Sequence, residues 1–157
     1  MLIPQEYLVP FILTNIISII LIIVSIKWID AGKIIFAVIF LFACGFNVYN
    51  VINHPDSYLE FGKTAKLFFY RDFIFGDFRD NIIIYIIIIA VIQLMISFFL
   101  FTESFLTNYG FTGGIIFLVL IAPLGLGSAF PSTLLMALAL YIIYAKRLKK
   151  IRERMRP

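Results

Sequence analysis

The sequence predicts an all-α protein, a polytopic transmembrane helical bundle, and three observations support this fold class. Hydrophobic residues make up 62% of the 157-residue chain and charged residues only 14%. Three uncharged stretches each have about the ~20 residues that an α-helix needs to cross a bilayer. A fourth uncharged stretch is longer than one crossing requires. Because a soluble domain of this length would not bury so much apolar surface, we expect a single transmembrane domain over residues 1–157.

The first three uncharged stretches predict three ordinary spans, at about 8–26, 34–53 and 82–102. No Lys or Arg precedes the first stretch and no small-residue cleavage site follows it, so we interpret it as a retained span and not as a signal peptide. The single cysteine, Cys44, lies inside the second stretch, where we expect a small packing residue.

The fourth uncharged stretch, from Ser104 to Ala145, predicts a broken span at about 111–146. As one straight helix this span would measure ~52 Å, well over the thickness of the hydrocarbon core. Prolines and glycines interrupt it near 123–131, where they remove backbone donors and permit unusual backbone conformations. We expect two half-helices at a joint that faces protein or water. The joint is either a plain kink or turn, or a binding site of the transporter or channel kind. The residues of this break are Pro123, Gly125, Gly127 and Pro131.

The distribution of Lys and Arg favours four spans over the alternative of five. The tail after Ala145 carries seven Lys and Arg against one Glu. With this tail in the cytoplasm, four spans leave eleven basic residues inside and two outside, whereas five spans leave nine inside and four outside. The four-span topology places both the N- and C-termini in the cytoplasm. The basic tail is typical of a segment that contacts anionic lipid head groups.

The connection between spans two and three predicts an amphipathic helix at about 55–70. Pro55 suits the first position of a helix, and Asp56 suits its positive end. Apolar residues recur at helical spacing through Tyr58 and Phe61. We expect this helix to lie in the membrane interface on the cytoplasmic side, where it is a candidate roof for a pocket below it.

Polar side chains within the spans predict a site at the same end of the bundle. Asn47, Asn50 and His54 share one face of span two. The structural interpretation is that these amides form hydrogen bonds that hold the helices together. The functional interpretation is a polar pocket that holds a quinone or a lipid-like head group. The candidate residues are Asn15, Asn47, Asn50, His54, Tyr58 and Gln93.

Enzymatic chemistry has little support in this sequence. An imidazole is a common proton donor and acceptor in enzymes, so a membrane redox enzyme subunit that uses His54 is an alternative. With one His and one Cys in the chain, we predict neither a metal site nor a catalytic residue. A short basic tail without a nucleic-acid-binding fold predicts no nucleic-acid partner.

Three segments resemble small prokaryotic membrane proteins grouped as DoxX-like. They are the HPxxYxxF segment from His54 to Phe61, the FYRDF run at 69–73 and the APLGLG break at 122–127. The resemblance implies a small bundle of about four helices, in some members an accessory subunit of quinone-linked sulfur oxidation. Other DoxX-type chains carry a charged residue in the first span, and this chain has none there.

Together these observations predict a small integral protein of a prokaryotic cytoplasmic membrane. We expect a non-catalytic accessory subunit, with a membrane partner subunit, or a lipid- or quinone-binding protein. The alternatives are the redox enzyme subunit and a small transporter or channel at the broken fourth span.

Overall fold

A computed structural model describes residues 5–154, without the side chains of Glu6 and Tyr7. Within this range the chain is helical throughout, with seven α-helices and no strand. Short 3₁₀ segments at Pro55–Leu59 and Ala122–Ser128 and a π-helical segment at Ile74–Phe78 join some of them. The α-helices are α1 (Gln5–Lys27), α2 (Ile29–Asn53), α3 (Glu60–Thr64), α4 (Phe68–Phe73), α5 (Ile82–Phe101), α6 (Leu106–Ile121) and α7 (Ser132–Arg154).

The predicted fold class is confirmed, because four helical stretches are long and apolar enough to cross a membrane. They are Leu8–Lys27, Ile29–Asn53, Ile82–Phe101 and Leu106–Ser128. Large apolar side chains cover their outer faces, as Phe42 with 73% exposure illustrates. Such a surface suits contact with lipid, in which a helix satisfies its own backbone hydrogen bonds. The chain is a small integral membrane protein.

The core of the bundle lies where α2, α5, α6 and α7 meet. Fully buried side chains from all four helices fill it: Phe36, Leu100, Phe111, Leu140 and Ile143. Gly110 and Gly114 let the backbones approach closely, since a Cβ on Gly114 would lie 2.7 Å from Leu140 Cδ2. Small residues at helix contacts are the usual device for close packing within a bilayer.

The break after α6 reverses the direction of the chain. The rings of Phe111 and Tyr144 stack with centroids 5.4 Å apart, and Gly114 lies against Leu140. Residues later in α6 therefore meet residues earlier in α7, so the two helices run antiparallel and side by side. The half-helices and their joint were predicted, but the prediction placed them in one crossing. Among the described residues, four stretches meet the length and hydropathy of a membrane span, as predicted, and α7 is not one of them.

Helices α1 and α7 run in the same direction. The Ser18 hydroxyl donates to the Ser132 carbonyl at 3.2 Å, and farther along both helices the Lys146 ammonium donates to the Ile26 carbonyl. The start of α1 and the end of α7 thus lie at opposite ends of the bundle. The prediction that both termini lie in the cytoplasm stays a prediction, because residues 1–4 and 155–157 lie outside the described range.

Helix α2 begins at Ile29, earlier than the predicted start at 34. The added turn includes Asp30 and Lys33. The negative charge of Asp30 suits the positive N-terminal end of the helix. Lys33 is only 5% exposed, and its ammonium lies 3.6 Å from the Glu103 carboxylate at the far end of α5. A long aliphatic stem lets lysine extend its charge along apolar surface, so the helix continues through this charged position.

The connection between α2 and α5 is not the continuous helix predicted at 55–70. It divides into the 3₁₀ segment Pro55–Leu59, α3, α4 and the π-helical segment. The helix stops after Thr64 because the Lys66 N–H donates to the Pro123 carbonyl at 2.8 Å instead of continuing the helical ladder. The bond to the other chain segment therefore sets the end of α3.

Candidate functional site

A cavity of about 340 Å³ lies between the bundle and the connection that precedes α5. Helices α2, α5 and α6 form its inner walls. The segment from the first 3₁₀ turn to the π-helical segment, together with the 3₁₀ segment Ala122–Ser128, forms the rest. Its surface is almost entirely aliphatic or aromatic. The lining residues are Asn47, Tyr58, Phe61, Tyr70, Phe73, Ile74, Phe78, Ile86, Ile89, Gln93, Phe117, Leu120, Ile121, Leu124 and Ser128.

Three polar residues in the wall form one chain of hydrogen bonds. The Tyr58 hydroxyl donates to Asn47 Oδ1 at 2.9 Å and also lies 3.1 Å from the Asn47 backbone carbonyl. Asn47 Nδ2 then donates to Gln93 Oε1 at 2.8 Å. Because each amide has one end committed to a neighbour, the orientation of both side chains is fixed. The chain joins the connection to α2 and α5.

Packing of α2 against α5 brings the two amides together. The helices run antiparallel, and the Ser97 hydroxyl donates to the Ala37 carbonyl at 2.8 Å farther along the same contact. Tyr58 reaches Asn47 because the 3₁₀ turn starts at Pro55, directly after α2 ends, and folds its tyrosine back onto the bundle. The site therefore depends on a helix contact and on a tight turn.

The structure brings together three of the six predicted pocket residues, namely Asn47, Tyr58 and Gln93. The other three lie elsewhere. Asn15 donates to the Phe11 carbonyl of its own helix at 2.7 Å. His54 is exposed at the end of α2, where its carbonyl accepts bonds from Ser57. Asn50 is half-buried and does not line the cavity.

The helix break lies against the same connection. The Thr64 hydroxyl donates to the Leu124 carbonyl at 2.8 Å and accepts a bond from the Gly127 N–H at 3.1 Å. The Pro123 carbonyl accepts the Lys66 N–H. Backbone groups freed by the break thus find partners in protein, as a non-helical joint in a membrane requires.

Close approach at the break explains two of its glycines. Gly125 has a φ of +76° and a ψ of −139°, and a Cβ there would lie 2.0 Å from the Thr64 carbonyl oxygen. At Gly127 a Cβ would lie 2.5 Å from Phe61 Cδ1. Beyond them, the Phe130–Pro131 peptide is cis and α7 begins at Ser132. The break is a tight turn wrapped around α3.

Several residues of the site lack a signal in the sequence that would identify them. Tyr70, whose hydroxyl donates to the Leu120 carbonyl at 2.7 Å, lies in the FYRDF run but shows no special spacing. Ile74 and Phe78 are buried and four residues apart, a helical spacing that indicates a buried face. The sequence does not indicate which surface they cover.

The chemistry of the cavity is that of a neutral, apolar binding site. Among the described residues that line it, none carries a formal charge at neutral pH. Burial raises the pKa of Tyr58 above its usual value, so its hydroxyl stays protonated and remains a donor. Comparisons of the chain with protein-family models, curated proteins and solved structures find no match. The resemblance to DoxX-like proteins therefore stays a prediction.

Proposed function

We propose that this protein is a non-catalytic membrane protein that binds one lipid-like molecule, such as a lipid or a quinone, in the cavity beside the broken helix. The observation behind the proposal is the cavity itself, which combines an apolar wall with a short chain of oriented polar groups. Binding sites for small molecules have this composition, and 340 Å³ lies within their usual volume range. A ligand dissolved in the membrane would meet this site without first crossing water.

The rival functions of the chain receive less support from the cavity. A redox enzyme that uses His54 would place this side chain beside its substrate, but His54 is exposed and outside the lining. A transport path through the helix break would need an open joint. Thr64 and Lys66 instead close the joint with three hydrogen bonds. Binding without catalysis is therefore the function that we favour.

The test is whether an apolar molecule stays with the protein through purification, and whether filling the cavity removes it. Ile89 lines the cavity, whereas its neighbour Ile88 is 50% exposed on the outer face of α5. We expect native mass spectrometry to show a bound molecule on the unmodified protein and on Ile88→Trp, and none on Ile89→Trp. Equal retention by both variants, or no bound molecule on the unmodified protein, would contradict the proposal.

We further propose that the end of α7 lies on the cytoplasmic side and contacts anionic lipid head groups. The direction of α7 puts its basic tail at the same end as Lys27 and Lys33. Of the twelve basic residues within 5–154, eight then lie on that side and four on the side of the connection, which agrees with the preference of Lys and Arg for the cytoplasm. In this topology the start of α1 lies on the opposite side of the membrane.

A role as an accessory subunit in a prokaryotic cytoplasmic membrane is the remaining part of the proposal. It rests on the resemblance of three segments to DoxX-like proteins. Affinity purification in mild detergent, with cross-linking before solubilisation, tests it. A membrane protein recovered in constant ratio would support the accessory role, and recovery of this chain alone after cross-linking would count against it.

A further inference from the structure

One hydrogen-bond donor in the cavity wall has no partner. Gln93 is only 4% exposed, and its Oε1 accepts the bond from Asn47 Nδ2. Its other amide atom, Nε2, makes no hydrogen bond to any part of the chain that the structure describes. Gln93 is one of the residues that line the cavity, so this NH₂ group is available to a molecule bound there.

The neighbours of Gln93 hold this donor in place. Tyr58 fixes the Asn47 amide, and the Asn47 amide fixes Oε1 of Gln93. The Tyr58 hydroxyl already donates its single proton to Asn47, and Asn47 Nδ2 commits one of its two protons to Gln93 Oε1, whereas both protons of Gln93 Nε2 are uncommitted. Gln93 Nε2 belongs to the cavity lining, and a donor beside an apolar wall gains from an acceptor that replaces water there. A ligand that carries an acceptor atom would satisfy this donor.

The charge of the wall limits which head groups fit. Lys, Arg and His are absent from the described lining, and so are Asp and Glu. A phosphate or carboxylate in the cavity would lose its hydration without gaining a cation, and burial of an unpaired charge is far more costly than burial of a neutral group. The site therefore selects a neutral head group.

We infer that the ligand is a neutral lipid whose head group presents a carbonyl oxygen to Gln93 Nε2. This inference rests on the proposed function of the cavity and adds the chemistry of the ligand. A quinone and a glyceride ester are two sources of such an oxygen. In both cases the carbonyl accepts the Gln93 proton, and the hydrocarbon chain lies along the aromatic and aliphatic wall.

The test compares probes that share an apolar chain and differ in the acceptor. We would measure binding of decylbenzoquinone, of a monoacylglycerol and of dodecylbenzene, from the rise in unfolding temperature in one detergent. Ile89→Trp, with its cavity filled, supplies the background for partition into the micelle. We expect the unmodified protein to bind at least one carbonyl probe about 3- to 10-fold more tightly than dodecylbenzene, the effect of one neutral hydrogen bond. The probe that shows the preference identifies the source.

Gln93→Met removes the donor with little change in volume but also frees Asn47 Nδ2, so it is made in an Asn47→Leu background. We expect Gln93→Met in this background to abolish the preference while dodecylbenzene still binds. If the unmodified protein binds all three probes equally, the inference about Gln93 is wrong and the proposed cavity function stands. If it binds none above the background, the cavity function itself is wrong. Should Gln93→Met fail to fold, the comparison of probes on the unmodified protein still decides between these outcomes.

Discussion

The hydroxyl of Thr64 and the backbone N–H of Gly127 lie within 3.1 Å and form a hydrogen bond between segments 63 residues apart in the sequence. The same hydroxyl donates to the Leu124 carbonyl at 2.8 Å. One small side chain thus satisfies two backbone groups that the helix break leaves without helical partners. The connection before α5 and the break after α6 form a single structural unit through this contact, and this unit borders the cavity.

Thr64→Val should therefore destabilise the protein by about 2 to 4 kcal/mol, because it leaves two backbone groups unsatisfied with little change of shape. Unfolding by a graded increase of denaturing detergent, followed by circular dichroism, measures the loss. Thr64→Ser keeps the hydroxyl and should cost less than half as much. Equal losses for the two substitutions would mean that the methyl contact, and not the pair of hydrogen bonds, holds the segments together.

Gly125→Ala should be more damaging than an alanine at an unconstrained glycine. The positive φ of Gly125 opposes any side chain, and a Cβ would overlap the Thr64 carbonyl oxygen at 2.0 Å. We expect a cost of at least about 2 kcal/mol. Gly45→Ala is the matched control, because a Cβ there meets no atom within 4 Å and alanine favours a helix. A Gly125→Ala protein as stable as Gly45→Ala would show that the break tolerates another conformation.

The sequence predicts the spans well because lipid imposes a simple rule on it. Only long apolar helices cross a bilayer, so uncharged runs of the right length locate α1, α2 and α5 to within a few residues. The start of α2 is missed because Lys33 extends to Glu103 and keeps its charge at the edge of the bundle. Charge counts alone do not reveal such a pairing.

The sequence predicts the cavity only in part, because its residues meet through contacts between distant segments. Asn47 and Gln93 are recognisable as polar groups within apolar runs, and the structure joins them. Asn15 is also a polar residue within an apolar run, but its side chain donates a hydrogen bond to the Phe11 carbonyl of its own helix. The end of α3 depends on a bond from Lys66 to Pro123, and no local pattern encodes it. Local sequence thus marks candidate groups, while pairing of segments decides which of them share a site.

The stability of the protein should fall at alkaline pH in a way that depends on Tyr58. Burial raises the pKa of Tyr58, so the folded state keeps the proton to higher pH than the unfolded state does. Below about pH 10 both the folded and the unfolded state hold this proton, so Tyr58 does not make the free energy of unfolding depend on pH. Above about pH 10 the unfolded state loses the proton first, and its ionisation lowers the free energy of unfolding. We expect Tyr58→Phe to lose less stability than the unmodified protein between about pH 9 and 11.

The topology of the bundle leads to a prediction about labelling from outside the cell. We expect Ser57→Cys, in the exposed turn after α2, to react with a membrane-impermeant maleimide added to intact cells, and Leu148→Cys, on α7, to react only after lysis. Both variants carry Cys44→Ser, so that the added thiol is the only one present. The physical reason is that eight of the twelve basic residues within 5–154 lie at the end of the bundle that holds Leu148. Protection of Ser57→Cys together with labelling of Leu148→Cys would reverse the orientation. If both react alike, α7 does not run alongside α1 in the membrane, and the hairpin formed by α6 and α7 would be wrong.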